Sequence, residues 1–203
     1  MRITISGKPG SGKSTVAKAL AKKLGLEHHS AGDLFRQIAQ KRGLSPLELN
    51  ERIRWDPSID QEIDSATLAL EKSKKNLILD ARLGFFFLPG SFKVFLDISP
   101  LVAGQRVFNQ MRKSEQENSS QSQTTANLKT RLRNEIHDYK ARYGVDYTDP
   151  HHFDLVIDTS NQSVESIVRR IERALGEKTP RQMHIKEKRP KKKLTEKRRK
   201  THG

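Results

Sequence analysis

The chain is 203 residues long, carries 39 Lys and Arg against 24 Asp and Glu for a net charge of +15, and has no Cys. That length suits one α/β domain with a sizeable core, the missing Cys excludes disulfides, zinc–thiolate sites and thiol catalysis, and no apolar run approaches the roughly 20 residues of a spanning helix. The charge is uneven: net +9 from Glu177 to the end, against +6 for residues 1–176, so the body is only mildly basic, as suits a protein that handles anionic ligands. With the N-terminus running straight into a core strand, no leader peptide is expected and a cytoplasmic protein is.

Arg2 to Ser6 is a β-branched run that reads as a strand, and Ser14 to Leu24 as a helix with Val16, Ala17, Leu20 and Leu24 on one face. Between them, Gly7-Lys8-Pro9-Gly10-Ser11-Gly12-Lys13-Ser14 is GxxxxGKS, in the strand–turn–helix context that a phosphate-binding loop needs. Glycines let main-chain N–H groups curl round an anion, and the helix N-terminus adds partial positive charge. Lys13 can reach the terminal phosphates of a nucleoside triphosphate, and the Ser14 hydroxyl can bind Mg²⁺. The loop implies a triphosphate ligand and leaves the acceptor open.

Further along, Leu26 to Ser30 is predicted as the second strand and Ala31 to Arg42 as a helix. Ser45-Pro46-Leu47-Glu48 is a capping box with Pro at the first helical position, and Asp56-Pro57 starts another helix with apolar residues at Ile59, Ile63, Ala66 and Leu70. Asn76 to Asp80, Phe92 to Asp97 and Phe153 to Asp158 read as strands, and Pro100 to Lys113, Leu128 to Tyr143 and Val164 to Leu175 as helices. The polar stretch 114–127 reads as unable to pack, and 177–203 as a basic, disordered tail. Strands alternating with helices imply a parallel sheet covered on both faces, with ligands at the C-terminal strand ends. Asp80, Asp97 and Asp158 lie at such ends; for Asp97 and Asp158 turn capping is the preferred reading.

Ser30-Ala31-Gly32-Asp33-Leu34-Phe35-Arg36 sets Asp33 and Arg36 three apart on one helical face, where they form either a phosphate clamp with a metal-water carboxylate or a solvent ion pair. Arg82, at the end of the third strand, is a second candidate for an acceptor phosphate. Arg106, Arg112, Arg131, Arg133 and Arg142 flank the polar stretch and suggest a lid that closes over the triphosphate. Phe85-Phe86-Phe87 reads as loop packing in preference to a base pocket. Trp55 reads as packing, and the pairs His28-His29 and His151-His152 as structural or surface histidines, since adjacent strand residues point to opposite faces.

GKPGSGKS, SAGDLFR, ILDARLG, the arginine-bearing lid, YKARYGVDYTD and FDLVIDTS together resemble the P-loop nucleoside monophosphate kinases over residues 1–176, nearest to cytidylate kinases of the compact archaeal type. The resemblance implies a three-layer α/β/α P-loop fold with a five-stranded parallel sheet of order 2-3-1-4-5, an acceptor-binding insertion at about 31–73, mobile over 45–73, and a lid at about 106–143. It implies γ-phosphoryl transfer from ATP, with Mg²⁺, to CMP or dCMP. Gly7, Lys8, Pro9, Gly10, Ser11, Gly12, Lys13, Ser14 and Thr15 would hold the ATP phosphates, Arg36 and Arg82 the acceptor phosphate, and Ser14 and Asp33 the metal. Arg106, Arg131 and in second place Arg133 would act from the lid. Residue 81 departs from the family's commoner Gly, as does Asp138 from a basic residue.

A phosphate acceptor is anionic near neutral pH and needs no dedicated base. Two alternatives stay open: a P-loop kinase for AMP, another nucleoside monophosphate or a small hydroxyl compound, with Asp33 as base, and a nucleic-acid-associated P-loop protein acting through the tail. The tail could touch RNA or DNA nonspecifically, though it has no aromatic residues for stacking. No Asn-Lys-x-Asp guanine motif occurs, which argues against a GTPase. A monomer is expected.

Overall fold

The computed structural model describes residues 1–53, 56–73, 75–113 and 120–178. Trp55, residues 114–119 and the tail beyond Lys178 lie outside the described residues. Five parallel strands, β1 (Arg2–Gly7), β2 (Glu27–Ser30), β3 (Leu77–Asp80), β4 (Phe92–Asp97) and β5 (Leu155–Asp158), stand in the expected order β2-β3-β1-β4-β5. β1 is central, and its side chains divide by the two-residue pleat. Ile3 and Ile5 are fully buried in a core shared with Val16, Ala17 and Leu20 of α1 (Lys13–Leu24) and Ile167, Val168 and Ile171 of α8 (Val164–Lys178). Thr4 and Ser6, equally buried, face the other way and bond the Ser91 hydroxyl and the Ala81 and Arg82 carbonyls. Those last two bonds pin the loop that carries Arg82.

Between β2 and β3 lie α2 (Ala31–Lys41), α3 (Pro46–Arg52) and α4 (Pro57–Lys72). The Ser45 capping box is present in full, and Asp56 caps α4 through the Ser58 N–H. Ile38, Ala39, Leu49 and Ile59 form a separate small core there, with Leu34, Phe35, Leu44, Ile53 and Ile63 around it. A one-turn helix, α5 (Gly84–Phe87), follows β3. Its phenylalanines pack as expected of loop filling: Phe85 against His152 and Phe153, and Phe86 and Phe87 against Tyr143.

α6 (Pro100–Lys113) and α7 (Gln121–Tyr143) pack side by side. The reading of 114–127 as unable to pack is corrected over its described part. Ser120 caps α7 by accepting the Gln123 N–H, and Thr124 and Thr125 are buried. The two threonine hydroxyls donate to the Ser120 and Gln121 carbonyls at 3.1 and 2.9 Å, so small polar side chains satisfy themselves within the helix. A Cβ on Gly104 would stand 2.9 Å from Thr125 Cβ, so a close helix approach replaces the missing apolar volume. β5 begins two residues later than predicted. The Phe153 ring turns onto Phe85 and Phe95, and the Asp154 carboxylate accepts the Lys93 N–H at 2.9 Å.

Candidate active site

The phosphate-binding loop joins β1 to α1 over the C-terminal edge of the sheet. A Cβ on Gly7 would collide with the Leu96 carbonyl oxygen, and Gly10, at φ +82°, would push one to 2.9 Å from Ala103 Cβ. Both glycines therefore answer to crowding from β4 and α6. The loop is braced by Lys8 N–H to Leu96 O and Ser11 N–H to Lys8 O, each 3.2 Å. Gly12 sits in the left-handed region and starts α1 with no side-chain cap. The first N–H groups of a helix have no intrahelical acceptor, so here they face the loop's concavity.

Lys13 opens α1 at the loop and is half-buried. Burial, reinforced by the neighbouring Arg82 and less so by Arg131, pulls its ammonium down to about 8, with the Asp80 and Glu135 carboxylates pulling the other way. An electropositive, desolvated lysine is primed for an anion. Ser14 donates its hydroxyl to the Asp80 carboxylate. Asp80 ends β3 and is buried, so its side chain is fixed against the helix start. A hydroxyl and one carboxylate are a hard-oxygen set that suits Mg²⁺, which keeps water and phosphate as its other ligands. Among the described residues no group of three or more His, Cys, Asp or Glu forms a protein-only metal cage.

Arg82 reaches α7. Its Nε donates to Glu135 of α7 at 2.6 Å, and both side chains are mostly buried. The Glu135 carboxylate also accepts from Arg131 Nε at 2.8 Å and from the fully buried Tyr147 hydroxyl at 2.9 Å. Burial opposes that carboxylate's charge, but the two guanidiniums outweigh it and hold Glu135 below the usual carboxylate range. Burial in turn pushes the Tyr147 phenol up, with the Glu135 charge adding to it, so it stays a hydrogen-bond donor.

The predicted arginines thus separate. Lys13, Arg82 and Arg131 converge. Arg106 instead donates to the Thr159 and Ser160 carbonyls at 2.6 and 3.2 Å, and Thr159 in turn donates to Ser11 O and Asp97 O. Arg106 therefore ties α6 to the loop after β5, beside the phosphate loop. Arg133 rests on Thr130 of its own helix. Arg36 pairs with Asp33, which lies below the usual carboxylate range because of that hydrogen bond. That pair is on the exposed face of α2, with 61% of the Arg36 side chain open to solvent, and it shares no partner with Arg82. The carboxylate that pairs with Ser14 is Asp80, while Asp33 stands on α2 with Arg36. Lys8 pairs with Asp97 at 2.6 Å, and Asp97 and Asp158 take the following N–H groups of Ile98 and Ser160, as turn caps do.

A cavity of about 340 Å³ opens between α2 and α4, lined by His28, His29, Asp33, Gln37, Thr67 and Leu70 among others. It lies on the insertion side, next to the Arg36 partner. Among the four paired histidines, exposed and half-buried positions both occur. His29 bonds Glu27, His151 bonds Asp149, His152 stacks on Phe85, and His28 is held below its usual range chiefly by burial.

Sequence reasoning missed Glu135 and Tyr147. Glu135 follows Arg131 by four residues, a spacing that reads as an ordinary surface helix pair. Its second partner is 53 residues away.

Residues 2–161 match the family described as the Cytidylate kinase-like family. The cytidylate kinase of Natronomonas pharaonis is 35% identical over 182 residues, covering 89% of this chain and 92% of that protein. The cytidylate kinase of Sulfurisphaera tokodaii is 36% identical over 184 residues, covering 91% and 100%. The shikimate kinase structure from Bacteroides thetaiotaomicron superposes with a TM-score of 0.59 at 18% identity, over 87% of this chain and 98% of that one. At that identity the likeness speaks for the fold alone. With phosphate loop, sheet order and sequence in agreement, the chain belongs to the cytidylate kinase-like family.

Proposed function

We propose that the chain transfers the γ-phosphoryl group of MgATP to CMP or dCMP, giving ADP and the nucleoside diphosphate. Family membership names the substrate class. The observation that carries the chemistry is the convergence of Lys13, Arg82 and Arg131 at the phosphate loop, beside the Ser14–Asp80 pair.

An oxygen of the acceptor's phosphate forms a bond to the γ-phosphorus as the bond to the β,γ-bridging oxygen breaks, and the electron pair leaves with ADP. The acceptor oxygen is already anionic, so no base is required. That accords with a site rich in cations. The loop N–H groups and Lys13 hold the donor phosphates. Ser14 and Asp80 would hold Mg²⁺, which supplies charge neutralisation on the β- and γ-phosphates. Arg82 meets the acceptor phosphate from a mostly buried position, where fixed charge acts strongly, and Arg131 meets the transferring group from the more open side. Arg36 reaches the acceptor when it leaves Asp33. Arg106 steadies the donor side through Thr159 and Ser160. The insertion, 31–73, has its own core, which supports its movement as one piece.

ADP formation measured across CMP, dCMP, UMP, AMP, shikimate and no acceptor tests the reading. CMP and dCMP should stimulate it most. Stimulation by AMP or a hydroxyl compound without stimulation by CMP would replace it with the other-acceptor alternative.

A further inference from the structure

Glu135 stands where three cations meet, and its bonding pattern is selective. Each carboxylate oxygen takes one arginine: Oε2 the Nε–H of Arg82, Oε1 the Nε–H of Arg131. A guanidinium offers five N–H donors, one on Nε and four on the terminal nitrogens. The terminal nitrogens of both arginines make no hydrogen bond to the described residues, so the two forks stand side by side with their outer edges unspent. The carboxylate is itself fixed. Tyr147, wholly buried, donates to it, and the Tyr147 ring meets Tyr139 edge-on at 5.6 Å. The Arg82 main chain is pinned through Ser6. One acid thus joins the loop after β3 to the lid helix α7.

We infer that Glu135 is a positioning residue that holds the Arg82 and Arg131 guanidiniums by their Nε–H groups, so that their terminal nitrogens form a paired receptor for phosphoryl oxygens. This rests on the proposed phosphoryl transfer for its kinetic consequence but not for its geometry. A carboxylate that merely occupied the phosphate position would take the outer edges of the forks and leave when a phosphate arrived. A bracket on the inner edges stays. The charge balance agrees: Arg82 already depresses Lys13, and without Glu135 only Asp80 would offset three neighbouring cations. Lost preorganisation of this kind acts on the transition state more than on ground-state binding.

Nitrogen-edited NMR of the arginine Nε–H groups in the full chain, with Arg131→Lys used for assignment, tests the bracket without any acceptor. Two hydrogen-bonded, slowly exchanging Nε–H signals should be present and should persist when MgATP is added. Their loss on adding MgATP would overturn the inference, making Glu135 a displaced stand-in. In turnover with CMP, Glu135→Gln, whose amide oxygen can accept only one of the two Nε–H groups, should lower kcat about 100-fold with KM for ATP within about threefold. In an Arg131→Ala background the same change should cost less than about tenfold, because the second partner is already gone. A kcat within about threefold of the parent, or losses that multiply independently, would overturn it. A parent chain that fails to phosphorylate CMP counts against the proposed function alone, since the NMR result still decides the bracket.

Discussion

Two arginine–carboxylate pairs in this chain share the same chemistry and differ in burial and in sequence separation. Arg82–Glu135 is mostly buried, bridges the loop after β3 to α7, and sits beside Lys13. Arg36–Asp33 lies three residues apart on one helix, exposed, on an insertion with its own core. Burial makes the first pair a fixed part of the phosphate site, because breaking it would strand a charge away from water. Exposure makes the second a resting contact, cheap to exchange for a substrate phosphate. The cluster at the phosphate loop is therefore fixed in place, whereas the Arg36–Asp33 contact on α2 is held loosely enough to exchange.

The largest effect should come from the donor side. Lys13→Ala should lower kcat by about 10³-fold or more while the chain still folds, since the substitution removes a cation that neighbouring cations already disfavour. Steady-state kinetics with circular dichroism checks this. Next, Arg82→Ala should cost about 3–5 kcal/mol in urea unfolding, because Glu135 is left buried with less compensation. Arg36→Ala should stay within about 1 kcal/mol of the parent and instead raise the acceptor's KM by tenfold or more. Equal destabilisation by the two would erase the contrast.

A pH profile sharpens it further. The Lys13 ammonium loses its proton near pH 8 in the free protein. The charged form grips phosphate, so kcat/KM for ATP should fall as pH rises through about 8, approaching tenfold per unit. Replacing Lys13 with Arg should remove that limb even if activity is lower. The acceptor KM at saturating ATP should stay flat over the same range, because the contact proposed for the acceptor does not involve Lys13. The smallest effect belongs to the insertion: Ser45→Ala removes the α3 cap and should cost about 1 kcal/mol, with kcat unchanged.

What was legible in the sequence was what is local. Glycine spacing, β-branched runs and the Ser45 capping box each specify their own few residues, and the alternation of strands and helices gives the sheet order once the family pattern is seen. The helix start at Gln121 was hidden because Ser, Thr and Gln carry no apolar periodicity. What makes them pack is self-bonding hydroxyls and the bare surface of Gly104. Asp80 was visible as a strand-end acid, but its pairing with Ser14 depends on β3 lying next to β1. Glu135 could not be assigned, since its meaning comes from a loop far away in the chain and from a tyrosine twelve residues on.

The central claim is that two phosphates meet at the Lys13, Arg82 and Arg131 cluster. Mass-resolved product analysis after incubation with MgATP and CMP tests it most directly. CDP and ADP should appear in equal amounts and without free phosphate, and Arg82→Ala should suppress both together. ATP consumed with free phosphate released and no CDP formed would contradict the account.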